Sequence, residues 1–369
     1  MNQNFLNEVS SRILEIKSLN KKTIFSISTT AKQEENSYLT PIRDCDSFVL
    51  TGCIIFDQKI LPILLEKIDG EVDVILVDSE KKIPMRIDNS FKGKPDFYQT
   101  VGYVETGSLS KICFEYVKKS KVFEFKPNDL TVNATWSFLS QRFRLLSGKK
   151  ISILGAGNIG SKLALKLVEC GAEVHLYRRD FYKGHCIAHG LNLIKPEGVI
   201  ANIHFHRNKM QASFLSDILI GASNGYPVID SDVVNSINKN CLIVDLGKNN
   251  LTEKAIKIAA QHSIEVYRTD VTPAIESYVY EVLKMQDILE NSYGKKSLGF
   301  CNIVSGGFFG SLGDVVVDRI NDPKRVIGVA QGDGSLKTTL NSEDQSNINR
   351  LKKECGIEKL SNMENLVHH

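Results

Sequence analysis

The sequence predicts an α/β protein, with an N-terminal α/β substrate domain followed by a doubly wound parallel sheet. Strand-like and helix-like segments alternate through most of the 369 residues, the pattern that lays helices on the faces of a parallel sheet. From Ile151 to Thr269 six apolar runs ("ISILG", "AEVHLY", "VIANIHF", "DILIGAS", "CLIVDLG" and "IEVYRT") are separated by helices or turns. The first of them ends in "GAGNIG", a glycine turn that opens a helix. Composition agrees: 42% hydrophobic and 24% charged is ordinary for a globular chain and gives each of two domains a core.

Ahead of the glycine turn, strands are expected at "KTIFSIS", "SFVLTGCIIF", "DVILVDS", "TVGYVE" and "KVFEF", and helices at "FLNEVSSRILEIK", "ILPILLEKI" and "LSKICFEYVKK". These make residues 1–129 an α/β substrate or catalytic domain. "LTVNATWSFLSQRFRLL" has helical spacing and stops at the turn "SGKK", so residues 130–147 read as a helix bridging two domains. Residues 148–275 form the dinucleotide domain. Residues 276–369 are expected to be C-terminal helices returning to the first domain, then a polar tail with the Gly-rich "GVAQGDGSL".

A formal net charge of +3, with scattered basic residues, gives no nucleic-acid footprint. A small-molecule substrate is the expected partner, an acidic one being served by a few local cations, and a homodimer is the expected assembly. Cys45, Cys53, Cys113, Cys170, Cys186, Cys241, Cys301 and Cys355 lie far apart, most in apolar runs, and read as reduced thiols. The N-terminus lacks a signal-peptide core, and no run approaches the ~20 apolar residues of a membrane span. A cytoplasmic protein without membrane contact is expected.

Gly155, Gly157 and Gly160 have the spacing and the strand-to-helix context of a Rossmann dinucleotide fingerprint. The first glycine makes the tight turn, the second admits the pyrophosphate, and the third lets helix and strand pack closely. Asn158 and Ile159, at the helix N-terminus, would offer amides and dipole to the phosphates. In an NAD site an acid about 20 residues on accepts the ribose 2′-hydroxyl; here Arg178 holds that position, followed by Arg179. Two guanidiniums suit a 2′-phosphate, so NADP is the expected cofactor. NAD stays open if Asp180 takes the ribose instead. Ser223, Asn224 and Gly225 end the fourth strand and should border the nicotinamide ribose. Asp245, Gly247 and Lys248 end the fifth, either shaping the backbone or facing substrate. His185, Cys186 and His189 have a metal-like spacing without a third element to complete it; helix packing is the plainer reading.

The segment "FKPNDLTVNATWSFLSQRFRLLSGKKISILGAGNIGSKLALKL" resembles the join between domains in shikimate dehydrogenases and in the methylenetetrahydrofolate and methylenetetrahydromethanopterin dehydrogenases, and "ASNGYPVIDSDVVNSINKNCLIVDLGKNN" resembles their fourth and fifth strands. The likeness covers roughly residues 120–275. It implies a substrate domain, a helix entered through an Asn/Thr/Asp-rich turn, and a Rossmann domain often specific for NADP. The chain departs from it by reading Asn128, Asp129, Leu130, Thr131 at that turn, and by lacking a clear match to the lysine motif of the first family or the Tyr and Lys pair of the second.

The expected chemistry is hydride transfer between the nicotinamide and a carbonyl or imine carbon of a small polar metabolite, with a protein group handling the proton. Asp129 with Lys81 or Lys82 is the candidate catalytic pair, since a carboxylate keeps a neighbouring ammonium charged and oriented. Asp129 is equally placed to be a helix cap, and Lys81 and Lys82 to be surface charges. Without this pair the search moves to Lys111, Lys248 and Asp270. No metal is expected. The alternative functions are a cyclodeaminase that uses the nicotinamide without net redox, and a non-catalytic dinucleotide sensor.

Overall fold

A computed structural model describes residues 2–29, 36–56, 60–80, 109–223, 225–247 and 249–357. The expected strand "TVGYVE" and the candidates Lys81, Lys82, Asn224 and Lys248 lie outside the described residues. The chain divides into two compact units, Met1–Glu276 and Ser277–His369.

In the first unit, strands β1 (Lys22–Ser28), β2 (Tyr38–Asp44), β3 (Phe48–Ile54), β4 (Val74–Asp78) and β5 (Lys121–Phe125) form a sheet in the order β2-β3-β1-β4-β5. All neighbours are parallel except β2, which runs antiparallel on the edge of β3. β2 has no counterpart in the sequence reading. Its "YLTPIRD" carries Pro41, and the register slips between Thr40 and Arg43; proline cannot donate to a ladder and survives on an edge or at a bulge. Helices Asn2–Lys17, Leu61–Ile68 and Leu109–Tyr116 supply Val9, Ile13, Leu61, Leu65, Leu109 and Cys113 to a core shared with Phe25, Val49 and Ile75.

The bridging helix spans Pro127–Arg142, starting three residues before and ending five residues before the expected 130–147. Proline at the first helical position loses no intrahelical bond and arrives with its φ already set. Asp129 is therefore inside the helix as its third residue. The preceding Lys126 makes no side-chain cap; the amide of Asn128 donates instead to the carboxylate of Glu80, 3.0 Å away.

All six strands expected after Gly148 are present: β6 (Lys150–Leu154), β7 (Glu173–Tyr177), β8 (Ile203–His206), β9 (Ile218–Gly221), β10 (Leu242–Asp245) and β11 (Glu265–Arg268). They form one parallel sheet in the order β11-β10-β9-β6-β7-β8, the doubly wound dinucleotide-binding topology. β6 from Ile151 onward and β9 throughout, both central, are buried, as a sheet covered on two faces requires. The strand order reverses between them, and ligands in such sheets bind at that point, outside the carboxyl ends.

The second unit holds a four-stranded sheet of β12 (Gly294–Ser297), β13 (Asn302–Ser305), β14 (Val315–Val317) and β15 (Val326–Val329), in that order. The helix Ser342–Glu354 packs Ile348 and Leu351 onto Ile303, Val315 and Val329. Helices and a tail are what the sequence reading expects here. The strands are three or four residues long, too short for an alternating pattern to stand out. The unit boundary falls within the helix Thr272–Asn291.

Candidate functional site

At the switch point, Gly155 leaves β6 at φ +128, a conformation that side chains rarely adopt. A Cβ there would collide with the carbonyl of Ala222 on β9's exit. A Cβ on Gly160 would strike the carbonyl oxygen of Gly155, so this glycine lets the helix Asn158–Glu169 close on its own turn. Gly157 differs from both. Its backbone is extended (φ −95, ψ −161), and a Cβ would meet nothing within 4 Å. Neither strain nor packing within the protein demands a glycine here. The first intrahelical bond runs from the Ser161 amide to the Gly157 carbonyl at 2.9 Å. The amides of Asn158, Ile159 and Gly160 thus precede the ladder, in the place where a helix holds an anion.

Around this turn lies a cleft of about 400 Å³ bordered by Gly155, Gly157, Arg178, Arg179, Lys209 and Tyr226, with Asp180 and Ser223 also on its wall. Arg178, half-buried, donates from its guanidinium to the carbonyl of Ala156 inside the glycine turn. Arg179 stacks its guanidinium 4.9 Å over the ring of Tyr226. Asp180 caps the helix Phe181–Ile194, accepting from the Lys183 amide at 3.1 Å, while its other oxygen lies 3.8 Å from the Lys183 ammonium. One of its two oxygens is thereby engaged at the helix end.

Across the cleft, the amide and hydroxyl of Ser223 both address Asn250 Oδ1, at 2.8 and 2.6 Å. Gly225 turns the chain at φ +79, its amide donating to the Ser223 carbonyl. Asn250, wholly buried, donates to Asp245, whose same oxygen accepts the Gly247 amide at 3.1 Å. Arg268 approaches the other Asp245 oxygen at 3.5 Å. Asp245 therefore shapes the backbone after β10. Asn250, which organises this loop, carried no motif to mark it.

The proton-handling candidates regroup. Asp129 is brought to Lys162, on the first turns of the fingerprint helix, and the two form an ion pair. Glu80, just past the carboxyl end of β4, lies 4.0 Å from the same ammonium. Asn128 Nδ2 donates to Asn158 Oδ1 at 3.3 Å. Lys162 and Glu80 are absent from the sequence reading. The spacing offers a signal only in part: Asn158, Lys162 and Lys166 recur every four residues, on one face of the helix, and Lys166 sits 5.3 Å over Trp136 of the bridging helix. Elsewhere, Asp270 caps its own chain by accepting from the Thr272 amide and hydroxyl at 2.9 and 2.7 Å, bonds that hold its carboxyl below the ordinary value. Lys111 lies 3.8 Å from Glu115 on an exposed helix face.

Cys186 is exposed, unlike the core thiol it was expected to be, and burial pushes Cys113 and Cys241 up to about 12. No group of three His, Cys, Asp or Glu side chains among the described residues is arranged to hold a metal, and that includes His185, Cys186 and His189. No helix of the described residues is long and apolar enough to cross a membrane.

Comparison with known proteins adds a partial likeness. No family model matches the chain. The glutamyl-tRNA reductase of Thermosipho melanesiensis (strain DSM 12029 / CIP 104789 / BI429) is 31% identical over 113 residues, which is 30% of this chain and 28% of that protein. The match thus spans under a third of the relative's length. Among solved structures, a shikimate dehydrogenase in complex with NADP+ is 13% identical with a TM-score of 0.38, over 68% of this chain and 85% of that one. A putative D-isomer specific 2-hydroxyacid dehydrogenase, NAD-binding, from Polaromonas sp. JS6 66 is 13% identical with a TM-score of 0.35, over 75% and 86%. Ornithine carbamoyltransferase from Gloeobacter violaceus, which is no dehydrogenase, is 10% identical with a TM-score of 0.36, over 68% and 85%. At these scores the resemblance carries no substrate or cofactor with it.

Proposed function

We propose that this chain is an NADP-dependent oxidoreductase that moves hydride between the nicotinamide and a carbonyl or imine carbon of a small polar metabolite. The observation that carries the reading is Gly157: a side chain there has room and no strain, so its absence answers to a bound pyrophosphate. Arg178 and Arg179 on the cleft wall support NADP over NAD.

The residues at hand fit a dinucleotide. The amides of Asn158, Ile159 and Gly160 would hold the pyrophosphate and the two arginines the 2′-phosphate. When bound, the cofactor supplies or accepts the hydride. The chain's own part is the proton. Asp129 pairs with the Lys162 ammonium and orients it, and that ammonium donates to the oxygen or nitrogen on which negative charge develops. Lys162 here takes the place proposed for Lys81 or Lys82.

The deciding experiment titrates NADPH and NADH into the native protein by fluorescence or calorimetry, then follows absorbance at 340 nm (the reduced-nicotinamide band) against keto acids, aldehydes and imines. Tighter NADPH binding with substrate-dependent oxidation is expected. Tighter binding of NADH refutes the choice of cofactor, and binding without turnover across the panel refutes the activity.

A further inference from the structure

Both arginines come from the loop after β7, but the cleft has a third cation that the fingerprint does not mark. Lys209 follows β8, a strand farther out, and its side chain lines the same wall as Arg178 and Arg179. Its ammonium is held in place: it pairs with the Asp230 carboxylate and donates to the Val228 carbonyl at 3.3 Å. An ammonium has three donors. With two directed at these partners, the third has no hydrogen-bond acceptor among the described residues. Asp230 is itself anchored, accepting from the Val233 amide at 3.1 Å as the cap of the helix Ser231–Ser236. Burial works to raise the Asp230 carboxyl, and the Lys209 and Val233 bonds outweigh it, leaving it below its ordinary value. The ammonium is held by both partners and needs no reorganisation to meet a ligand.

Resting on the NADP reading above, we infer that Lys209 is a third specificity-determining cation, which grips the adenosine 2′-phosphate alongside Arg178 and Arg179. Such an arrangement makes discrimination against NAD depend on two separate loops. The anchor has a cost: Asp230 competes with the phosphate for the ammonium and moderates its strength.

The test uses adenine-end fragments, which leave the nicotinamide and substrate out. Calorimetry compares 2′,5′-ADP with 5′-AMP on the native protein, on Lys209→Met and on Asp230→Asn. Asparagine remains a good helix cap, so the second variant frees the ammonium and keeps the helix start. Lys209→Met is expected to lose roughly tenfold in affinity for 2′,5′-ADP, the scale of one charge-assisted bond, with 5′-AMP unchanged. Asp230→Asn is expected to tighten 2′,5′-ADP alone. Equal weakening of both fragments by Lys209→Met, or no weakening, overturns the assignment while leaving the NADP reading in place. Equal affinity of the native protein for both fragments overturns the NADP reading itself, and Lys209 with it. If Lys209→Met melts too early to titrate, Asp230→Asn decides alone: tighter 2′,5′-ADP supports the role, and unchanged or weaker binding removes it.

Discussion

In the six-stranded sheet, the turn after β6 is made of backbone, with Gly155, Gly157 and Gly160 within one short segment. In the five-stranded sheet, the corresponding carboxyl edge is made of side chains. Asp78, buried at the end of β4, accepts from Ser28 Oγ at 2.7 Å and from the Glu80 amide at 2.8 Å, and Glu80 then reaches the bridging helix and Lys162. Both sheets place polar atoms where parallel strands end. A backbone site is written in one stretch of chain, whereas the side-chain site is assembled from β4, the bridging helix and the fingerprint helix. The first kind is predictable from spacing and the second is not.

The largest expected effect separates packing glycines from the ligand glycine. Gly160→Val forces a Cβ onto the Gly155 carbonyl and should abolish cooperative thermal unfolding of the first unit. Gly157→Val should cost no more than about 1 kcal/mol of stability, the usual scale of a changed N-cap, yet weaken dinucleotide binding by at least about 100-fold through lost approach to the phosphates. If Gly157→Val destabilises as much as Gly160→Val, the distinction between the two glycines fails.

Phe25→Ala, in the buried core of the five-stranded sheet, should cost about 3–5 kcal/mol. Calorimetry can then ask whether the two sheets melt together. A single shifted transition is expected, because Asp129–Lys162 and the 3.1 Å contact of the Thr135 and Thr269 hydroxyls tie both sheets through the bridging helix. Two separated transitions would show that each sheet folds on its own.

At the side-chain edge, Asp129→Asn and Lys162→Met should each lower kcat about 10–100-fold, the scale of one lost acid–base group, with the NADPH dissociation constant changed by less than about twofold. Effects that fall on cofactor affinity alone would make the pair an electrostatic brace beside the glycine turn. The double variant should cost little more than either single one if the two act as a unit.

The smallest effect lies on the outer strands. His175 Nδ1 and His206 Nε2 are 2.8 Å apart, and burial, then the charge of Lys150, lowers His175 from the ordinary 6.5 to about 3. A base with a lowered folded pKa binds its proton more readily when unfolded. The stability His175 supports is therefore complete above about pH 6.5 and declines as pH falls toward 3. Urea titrations of His175→Leu should show a shallower acid-side decline than the native chain; an identical slope would mean that other groups govern it.

The sequence by itself determined the α/β class, all six strands of the dinucleotide sheet and the glycine turn. These follow from local regularities: apolar runs of strand length, and glycines where a backbone must turn or approach a ligand. It also marked Arg178 and Arg179, whose place at the end of β7 is fixed by counting along one segment. It passed over β2, with its proline and bulge, and the strands of the second unit, each too short to display a period. Only the tertiary structure decided that Asp129 lies inside its helix and pairs with Lys162, that Glu80 serves the helix start, and that Lys209 shares the arginines' cleft. The residues of those pairings stand 33, 48 and about 30 positions apart in sequence. Their proximity is set by how strands order in a sheet and how one helix packs on another, which no local pattern of residues encodes.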